Sequence, residues 1–332
     1  MRQSMELKLG DARAIVVEIL TSRGMPADYA GMVADHLVDG SLVGDEHFGL
    51  PRAIGLVEVL DKRPPAKRVA VIREDSNSAV IDGCDNNGFV TSVIGVDKAI
   101  ELARKSGVGI VGVRNTWFSG RLAYYVERAA RQDLVAFHTA SATARVAPYG
   151  GIDPVYGTNP MAFGFPGQDG PLIVDIGTSA ATWGEMLHRR NSGRALDPEM
   201  AVDRLGHPTE DAAAGLAGAI LPWGGARGGG LALVVQILGL LAGGKPIVKQ
   251  LGEYGFFFLV FDPEMLMPID EFKARSAELL EAVRASRPGQ DFERVRIQGE
   301  ASAARRAQGL ARGTIVIGDK DYAALQALRR NR

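Results

Sequence analysis

The chain has 332 residues, 46% of them hydrophobic and 23% charged, with a formal net charge of −1. That composition predicts a soluble globular protein of two or three domains and lacks the basic excess that draws nucleic acid or an anionic membrane. The one cysteine, Cys84, excludes an internal disulfide and any multi-cysteine metal site.

The opening MRQSMELKLGDARAIVVEIL has no apolar signal core of the usual length, so a cytoplasmic protein is expected. Asp11 is placed to cap a helix reaching about Ser22, with Ile15, Ile19 and Leu20 on one face. A second helix is expected over 27–42, and Pro51 should start a third, reaching about Asp61. Between them lies the loop GDEHFGLPR, residues 44–52. Strands are expected at 68–73 and 78–82, a turn at Asn87-Gly88, a helix over 90–106 and a strand over 108–113.

A second region begins near Asn115, with a helix over 121–132 and a strand over 134–139. A long glycine-proline loop follows, then strands at 161–165 and 172–176 and a helix over 179–190 capped by Thr178 or Ser179. A short helix and the stretch LPWGGARGGG lead into a buried helix over 231–241, too short to span a bilayer. A strand at 254–261, a helix over 272–286, a strand at 314–317 and a helix after Asp319 complete the chain. Residues 1–114 with 251–332 are expected to form one domain, and 115–250 another inserted into it.

Several common sites are missing. No G-x-G-x-x-G opens a helix after a strand, so an ordinary Rossmann site is unsupported. Gly243-Gly244-Lys245-Pro246 lacks the remainder of a P-loop, the five histidines lack metal-ligand spacing, and no G-x-S-x-G elbow occurs.

Four stretches remain. In GDEHFGLPR, His47 is either a solvated loop histidine or a proton donor. Glu46 could orient it, Gly49 would let a ligand near the backbone, and Arg52 is a fixed cation suited to a carboxylate. A protonatable group beside an anion clamp is the minimum for reducing a carbonyl or imine next to a carboxylate. The loop VAPYGGIDPVYGTNP offers Thr158 and Asn159 beside the open backbone of Gly157, and its length favours function over mere connection. In LPWGGARGGG, Arg227, Gly228 and the neighbouring glycines either hold a phosphate at a helix start or permit close helix packing. In DIGTSAATWGE a strand ends at Asp175, and Glu185 is a helical carboxylate of either surface or catalytic kind.

Taken in order, VAPYGG, YGTNPMAF, VDIGTS, LGHPTED and LPWGGARGGGLAL resemble the malate/L-lactate dehydrogenase family that lies outside the Rossmann group. The family includes ureidoglycolate, diketogulonate and sulfolactate dehydrogenases and the piperideine/pyrroline-2-carboxylate (ketimine) reductases, and the resemblance covers roughly residues 10–310. It implies an α/β (mixed α+β) fold, with a nicotinamide-binding domain of the family's own type inserted into an N-/C-terminal helical and sheet domain. It also implies NADPH or NADH as cofactor, with NADP favoured, and a small carboxylate substrate. The expected assembly is a homodimer whose active site lies between domains and takes residues from the neighbouring subunit.

Carried over by residue, the resemblance puts the proton donor on His47, with Glu46 where the family has a relay serine, and the acidic relay residue on Glu185. Arg52 and Thr139 fall near substrate-binding positions. Cofactor segments fall on Phe118, Ser119, Gly120, Arg121 and Leu122, on Asp175, Ile176 and Gly177, on Arg227 and Gly228, and more loosely on Gly299 to Arg305, with Thr158 and Asn159 alongside. The family usually has histidine where Phe118 stands and lysine where Arg227 stands. A carboxylate at position 46 should favour the protonated form of the adjacent histidine. The expected function is reduction of a C=N or C=O group alpha to a carboxylate, leaning to a cyclic imine. The alternative is a noncatalytic member that binds a ligand or partner without turnover.

Overall fold

The computed structural model describes residues 4–45, 47–65 and 67–330. The chain divides into two units, Met1–Lys67 with Leu280–Arg332, and Arg68–Leu279.

The first unit opens with β1 (Ser4–Lys8), α1 (Leu9–Thr21), α2 (Ala27–Leu42) and α3 (Arg52–Leu60). Asp11 lies inside the first turn of α1 and is not its cap, because the strand runs directly into the helix at Lys8. There the carboxylate still favours the positive end of the helix dipole. Ile15, Val16, Ile19 and Leu20 are buried on one side of α1, and Ala30, Val33 and Leu37 on one side of α2.

The second unit runs through β2 (Ala70–Glu74), β3 (Ser78–Asn87), α4 (Gly88–Ser106), β4 (Val108–Trp117), α5 (Leu122–Ala130), β5 (Val135–Ala140), β6 (Met161–Phe165) and β7 (Leu172–Ile176). It continues with α6 (Trp183–Ser192), β8 (Ala201–Val202), α7 (Ala212–Ala217), β9 (Ala219–Ile220), α8 (Ala226–Leu241) and β10 (Tyr254–Phe261). Helix α9 (Ile269–Arg284) crosses the division, and α10 (Glu300–Arg312), β11 (Thr314–Gly318) and α11 (Asp319–Arg330) return to the first unit. There β11 pairs with β1 in an antiparallel ribbon.

The second unit is built on a seven-stranded sheet of order β2-β3-β4-β10-β5-β6-β7. The β3/β4 pair is parallel, and the other neighbours are antiparallel. Val111, Val113, His138, Phe256 and Phe258 alternate along their strands and are buried. The expected domain boundaries at 114 and 251 fall inside this sheet. Strands β2, β3, β4 and β10, expected in the N-/C-terminal domain, share it with β5, β6 and β7, expected in the insertion, through the β10/β5 pair.

Two local expectations change. Asn87-Gly88 forms no turn: Asn87 ends β3 and Gly88 begins α4, whose far end is closed by left-handed Gly107. Helix α8 is not wholly buried. Ala232, Val235 and Gln236 face inward, whereas Leu233, Val234, Ile237 and Leu241 are exposed. Its glycine-rich start belongs to the helix, so uniform hydrophobicity over 231–241 concealed two different faces. No helix among the described residues is long and apolar enough to cross a membrane.

Candidate active site

The first unit carries the histidine loop. Helix α2 closes with Val43, and Gly44 turns the chain at φ +78°. The Asp45 N–H donates to the Gly40 carbonyl at 2.9 Å. The Asp45 carboxylate then accepts the N–H groups of His47 and Phe48 at 2.9 and 3.1 Å, a side-chain turn that replaces missing backbone partners. Ser41 Oγ accepts the Leu50 N–H at 2.9 Å, pinning the far side of the loop to the last turn of α2. His47 is presented at an exposed position. Arg52 begins α3 half-buried, its N–H donating to the Gly49 carbonyl at 2.9 Å. His47 and Arg52 are therefore held on one short turn. Glu46 lies outside the described residues.

The other predicted residues of this unit sit on α10. Gly299 is its left-handed N-cap, at φ +90°. Arg305 donates from Nη1 to the Val43 carbonyl at 3.1 Å and lies across Gly44.

In the second unit, hydrogen bonds join segments far apart in sequence. Strand β4 ends at Trp117, whose ring meets that of the next residue, Phe118, edge to face at 5.1 Å. Phe118 is left-handed at φ +53°, which costs an L-residue about 1–2 kcal/mol. The turn Phe118–Ser119–Gly120 is anchored from below by Tyr125, whose hydroxyl donates to the Ser119 carbonyl at 2.8 Å. Burial pushes the Tyr125 hydroxyl pKa well above its ordinary value, so it stays a donor. Arg121 is the half-buried cap residue of α5, and Leu122 starts the helix and is buried.

The α5 cap is supplied from elsewhere. Asp175 Oδ2 accepts the Ala123 N–H at 2.8 Å. A carboxylate there both satisfies an orphan N–H and complements the helix dipole. Asp175 and Ile176 end β7 against Ala162 and Met161, and Gly177 is exposed just beyond. Next, the Thr178 N–H and hydroxyl both donate to the Thr158 carbonyl at 3.2 Å. The Thr178 carbonyl accepts the Trp223 N–H at 2.9 Å, and the Gly228 N–H donates to the Trp223 carbonyl at 3.0 Å. A Cβ on Gly228 would overlap the Trp223 carbonyl and come within 2.7 Å of the Thr178 carbonyl. Four predicted cofactor segments, at 118–122, 158–159, 175–177 and 227–228, thus form one connected framework. Tyr125 was not singled out from the sequence, and Thr178, expected with Ser179 as a cap of α6, links the framework instead, because the helix starts later, at Trp183, and Thr182 caps it. Thr178 sits inside DIGTS, so the motif was visible although its linking role was not.

Not every predicted residue points to a ligand. Asn159, buried at φ +36°, donates both amide hydrogens to α8, to the Ala232 carbonyl and Gln236 Oε1, each at 3.0 Å. Thr139 lies within β5 between Phe257 and Met161, fully buried, its hydroxyl with no hydrogen-bond partner among the described residues. Glu185 is in the first turn of α6, its N–H donating to the Thr182 hydroxyl cap at 3.0 Å. Its Oε1 accepts from Arg189 Nη2 at 3.0 Å, and Arg189 is shared with Asp197 at 2.8 Å. The Asp197 hydrogen bond, with Glu185 adding to it, raises the Arg189 pKa against the cost of burial.

These residues suit a dinucleotide. Arg227 is exposed in the first turn of the 16-residue α8, a placement that favours phosphate, and Gly177 leaves the backbone after β7 open. A framework with these features and a separate histidine–arginine turn belongs to the class of nicotinamide-dependent dehydrogenases and reductases. Within that class, the chain belongs to the malate/L-lactate dehydrogenase family, matched over residues 7–326. It is similar to the malate dehydrogenase of Pyrococcus horikoshii, 35% identical over 309 residues, 86% of this chain and 84% of that one. It is 32% identical over 236 residues to Delta(1)-pyrroline-2-carboxylate reductase 1 of Burkholderia ambifaria, covering 70% and 69% of the two chains. The solved sulfolactate dehydrogenase of Methanocaldococcus jannaschii superposes with a TM-score of 0.87 at 30% identity, covering 98% and 96%.

Proposed function

We propose that the protein is an NAD(P)H-dependent reductase of a C=O or C=N group alpha to a carboxylate. The observation that carries this reading is the Asp45-folded turn, which fixes a solvent-reachable histidine and a helix-starting arginine together. Malate, sulfolactate and pyrroline-2-carboxylate, named in the relatives, share a carboxylate beside the carbon that changes oxidation state. The oxo acid is put first because the malate and sulfolactate enzymes are among the most similar relatives. The cyclic imine follows on the strength of the reductase.

When bound, the reduced nicotinamide supplies hydride to the substrate carbon. His47 gives a proton to the oxygen or nitrogen, and Arg52 pairs with the carboxylate. The substrate gains one hydride and one proton, leaving a hydroxy acid or a cyclic amino acid. Thr139 offers the substrate a hydroxyl that has no hydrogen-bond partner among the described residues. Glu185 is the acidic relay residue that the family resemblance assigns, and its carboxylate pairs with Arg189. Arg121, Gly177, Arg227 and the Asp175-capped start of α5 hold the nucleotide. NADPH is preferred, with the exposed Arg227 taking its extra phosphate. Arg305, engaged with Val43, is left out of the cofactor set. The exposed apolar stripe Leu233, Val234, Ile237 and Leu241 of α8 supports a homodimer, because such a contiguous face is costly in water.

The test is fluorescence titration with NADPH and NADH, then consumption in the presence of pyruvate, oxaloacetate, 3-sulfopyruvate or pyrroline-2-carboxylate. A reductase consumes nucleotide with at least one substrate, and H47A abolishes that turnover while still binding nucleotide. Full turnover by H47A would overturn the assignment. Binding without consumption of any of these substrates would favour a noncatalytic ligand-binding member.

A further inference from the structure

We infer that Arg305 is a positioning residue for the His47 loop. This rests on the proposed proton-donor role of His47 and replaces the cofactor contact expected of Arg305 from resemblance.

The argument begins with the end of α2. A helix leaves its last carbonyls without intrahelical partners, and a cation near them is favoured twice, by hydrogen bonding and by the dipole. Arg305 Nη1 meets the Val43 carbonyl at 3.1 Å. The same side chain covers the next residue: a Cβ on Gly44 would stand 3.1 Å from both Arg305 Cδ and Nη1. Gly44 is left-handed at φ +78°, so it is the pivot at which the chain leaves the helix. Arg305 therefore holds the last carbonyl before that pivot and covers the pivot itself.

The neighbouring contacts converge on the same turn. Arg306, one residue along α10, pairs with the buried Asp39 of α2. Gly309 lets α10 pack closely on Leu42. Beyond the pivot, Asp45 is tied to Gly40, and its carboxylate holds the His47 and Phe48 N–H groups. Displacing Val43 and Gly44 therefore displaces Asp45 and, with it, the backbone of His47. No atom of Arg305 needs to touch a substrate for this effect.

The test compares R305A, R305M and R305K in protein carrying 15N-labelled histidine, with the His47 ring signal identified from H47Q. In R305A the signal should shift and narrow as the loop loosens. R305M, which keeps the stem over Gly44 but loses the hydrogen bond, should move it part of the way. R305K should restore it. Turnover in R305A should fall about tenfold in kcat with the nucleotide KM unchanged, the signature of a misplaced catalytic group. A His47 signal in R305A identical to that of the wild type would overturn the proposal. If NADPH or NADH affinity also fell with that signal unmoved, Arg305 would instead be a cofactor contact. Unchanged turnover in H47A would sink the proton-donor reading alone, because the ring signal reports the clamp without any chemistry.

Discussion

Replacing Asp175 by alanine is expected to weaken nucleotide binding by uncoupling two segments at once. Its carboxylate accepts the Ala123 N–H at 2.8 Å across 52 residues of sequence. Removing a side-chain acceptor at a helix start costs about 0.5–2 kcal/mol, and losing its charge from the positive end of the dipole costs about 0.3–1 kcal/mol. If that cost falls on restoring the 118–122 turn on binding, Kd for NADPH rises by about 4- to 160-fold. D175N keeps an acceptor oxygen and loses only the charge, so its Kd should rise by about 2- to 5-fold. The assay is fluorescence titration with NADPH and NADH on the wild type and both variants, with urea unfolding run in parallel. Wild-type affinity in D175A, or equal losses in D175A and D175N, would refute the idea that the capped helix start is part of the nucleotide site.

Three further outcomes follow from the same geometry. G228A, with backbone carbonyls where its Cβ must go, should lose about 2 kcal/mol or more. G230A, with nothing within 4 Å, should gain about 0.5–1 kcal/mol from helix propensity; equal effects in urea unfolding would contradict this. Burial, partly offset by a hydrogen bond to the Phe257 carbonyl, holds His138 neutral with a pKa of about 3, against an ordinary 6.5. Below pH 6.5 the unfolded chain takes up a proton that the fold refuses. Stability is therefore full above pH 6.5 and falls by about 1.4 kcal/mol per pH unit toward pH 3. H138Q should lose that dependence, and parallel wild-type and H138Q profiles between pH 7 and 5 would count against it. I237E, which places a charge in the exposed stripe of α8, should dissociate the proposed homodimer in sedimentation, and an assembly unchanged from wild type would count against that face as its interface.

The elements best anticipated from sequence are those with their own punctuation. Helix α2 and strands β6, β7 and β10 begin and end where predicted, because apolar periodicity and breaking residues coincide there. Two missed elements lack such signals. Strand β1 is five residues long and acquires its partner, β11, from the far end of the chain. Helix α10, EASAARRAQGLAR, buries only Gly309, so no apolar stripe announces it. The sheet's central pairing of β4 with β10 was invisible for the same reason as β1: residues 108–117 and 254–261 are neighbours in the sheet but far apart in sequence.

The site shows the same division between residue type and partner. The chemistry of His47, Arg52 and Arg227 could be proposed from residue type and neighbours, and the role of Asp175 from the family resemblance. Their orientation depends on contacts made across long stretches of chain, from Ala123 to Asp175 and from Val43 to Arg305, 262 residues apart. LPWGGARGGG shows why the two kinds of information differ. Sequence left its glycines open between phosphate binding and close packing, and the structure assigns the positions differently. Gly228 is packed against two carbonyls and tolerates no side chain, while Gly224 and Gly230 have open space around them. Arg227 stands between the packed and open positions, its backbone fixed by one neighbour and its side chain left in solvent. A glycine-rich stretch can therefore serve both purposes at once: the packed residue sets the helix start, and the open ones leave room for what binds there.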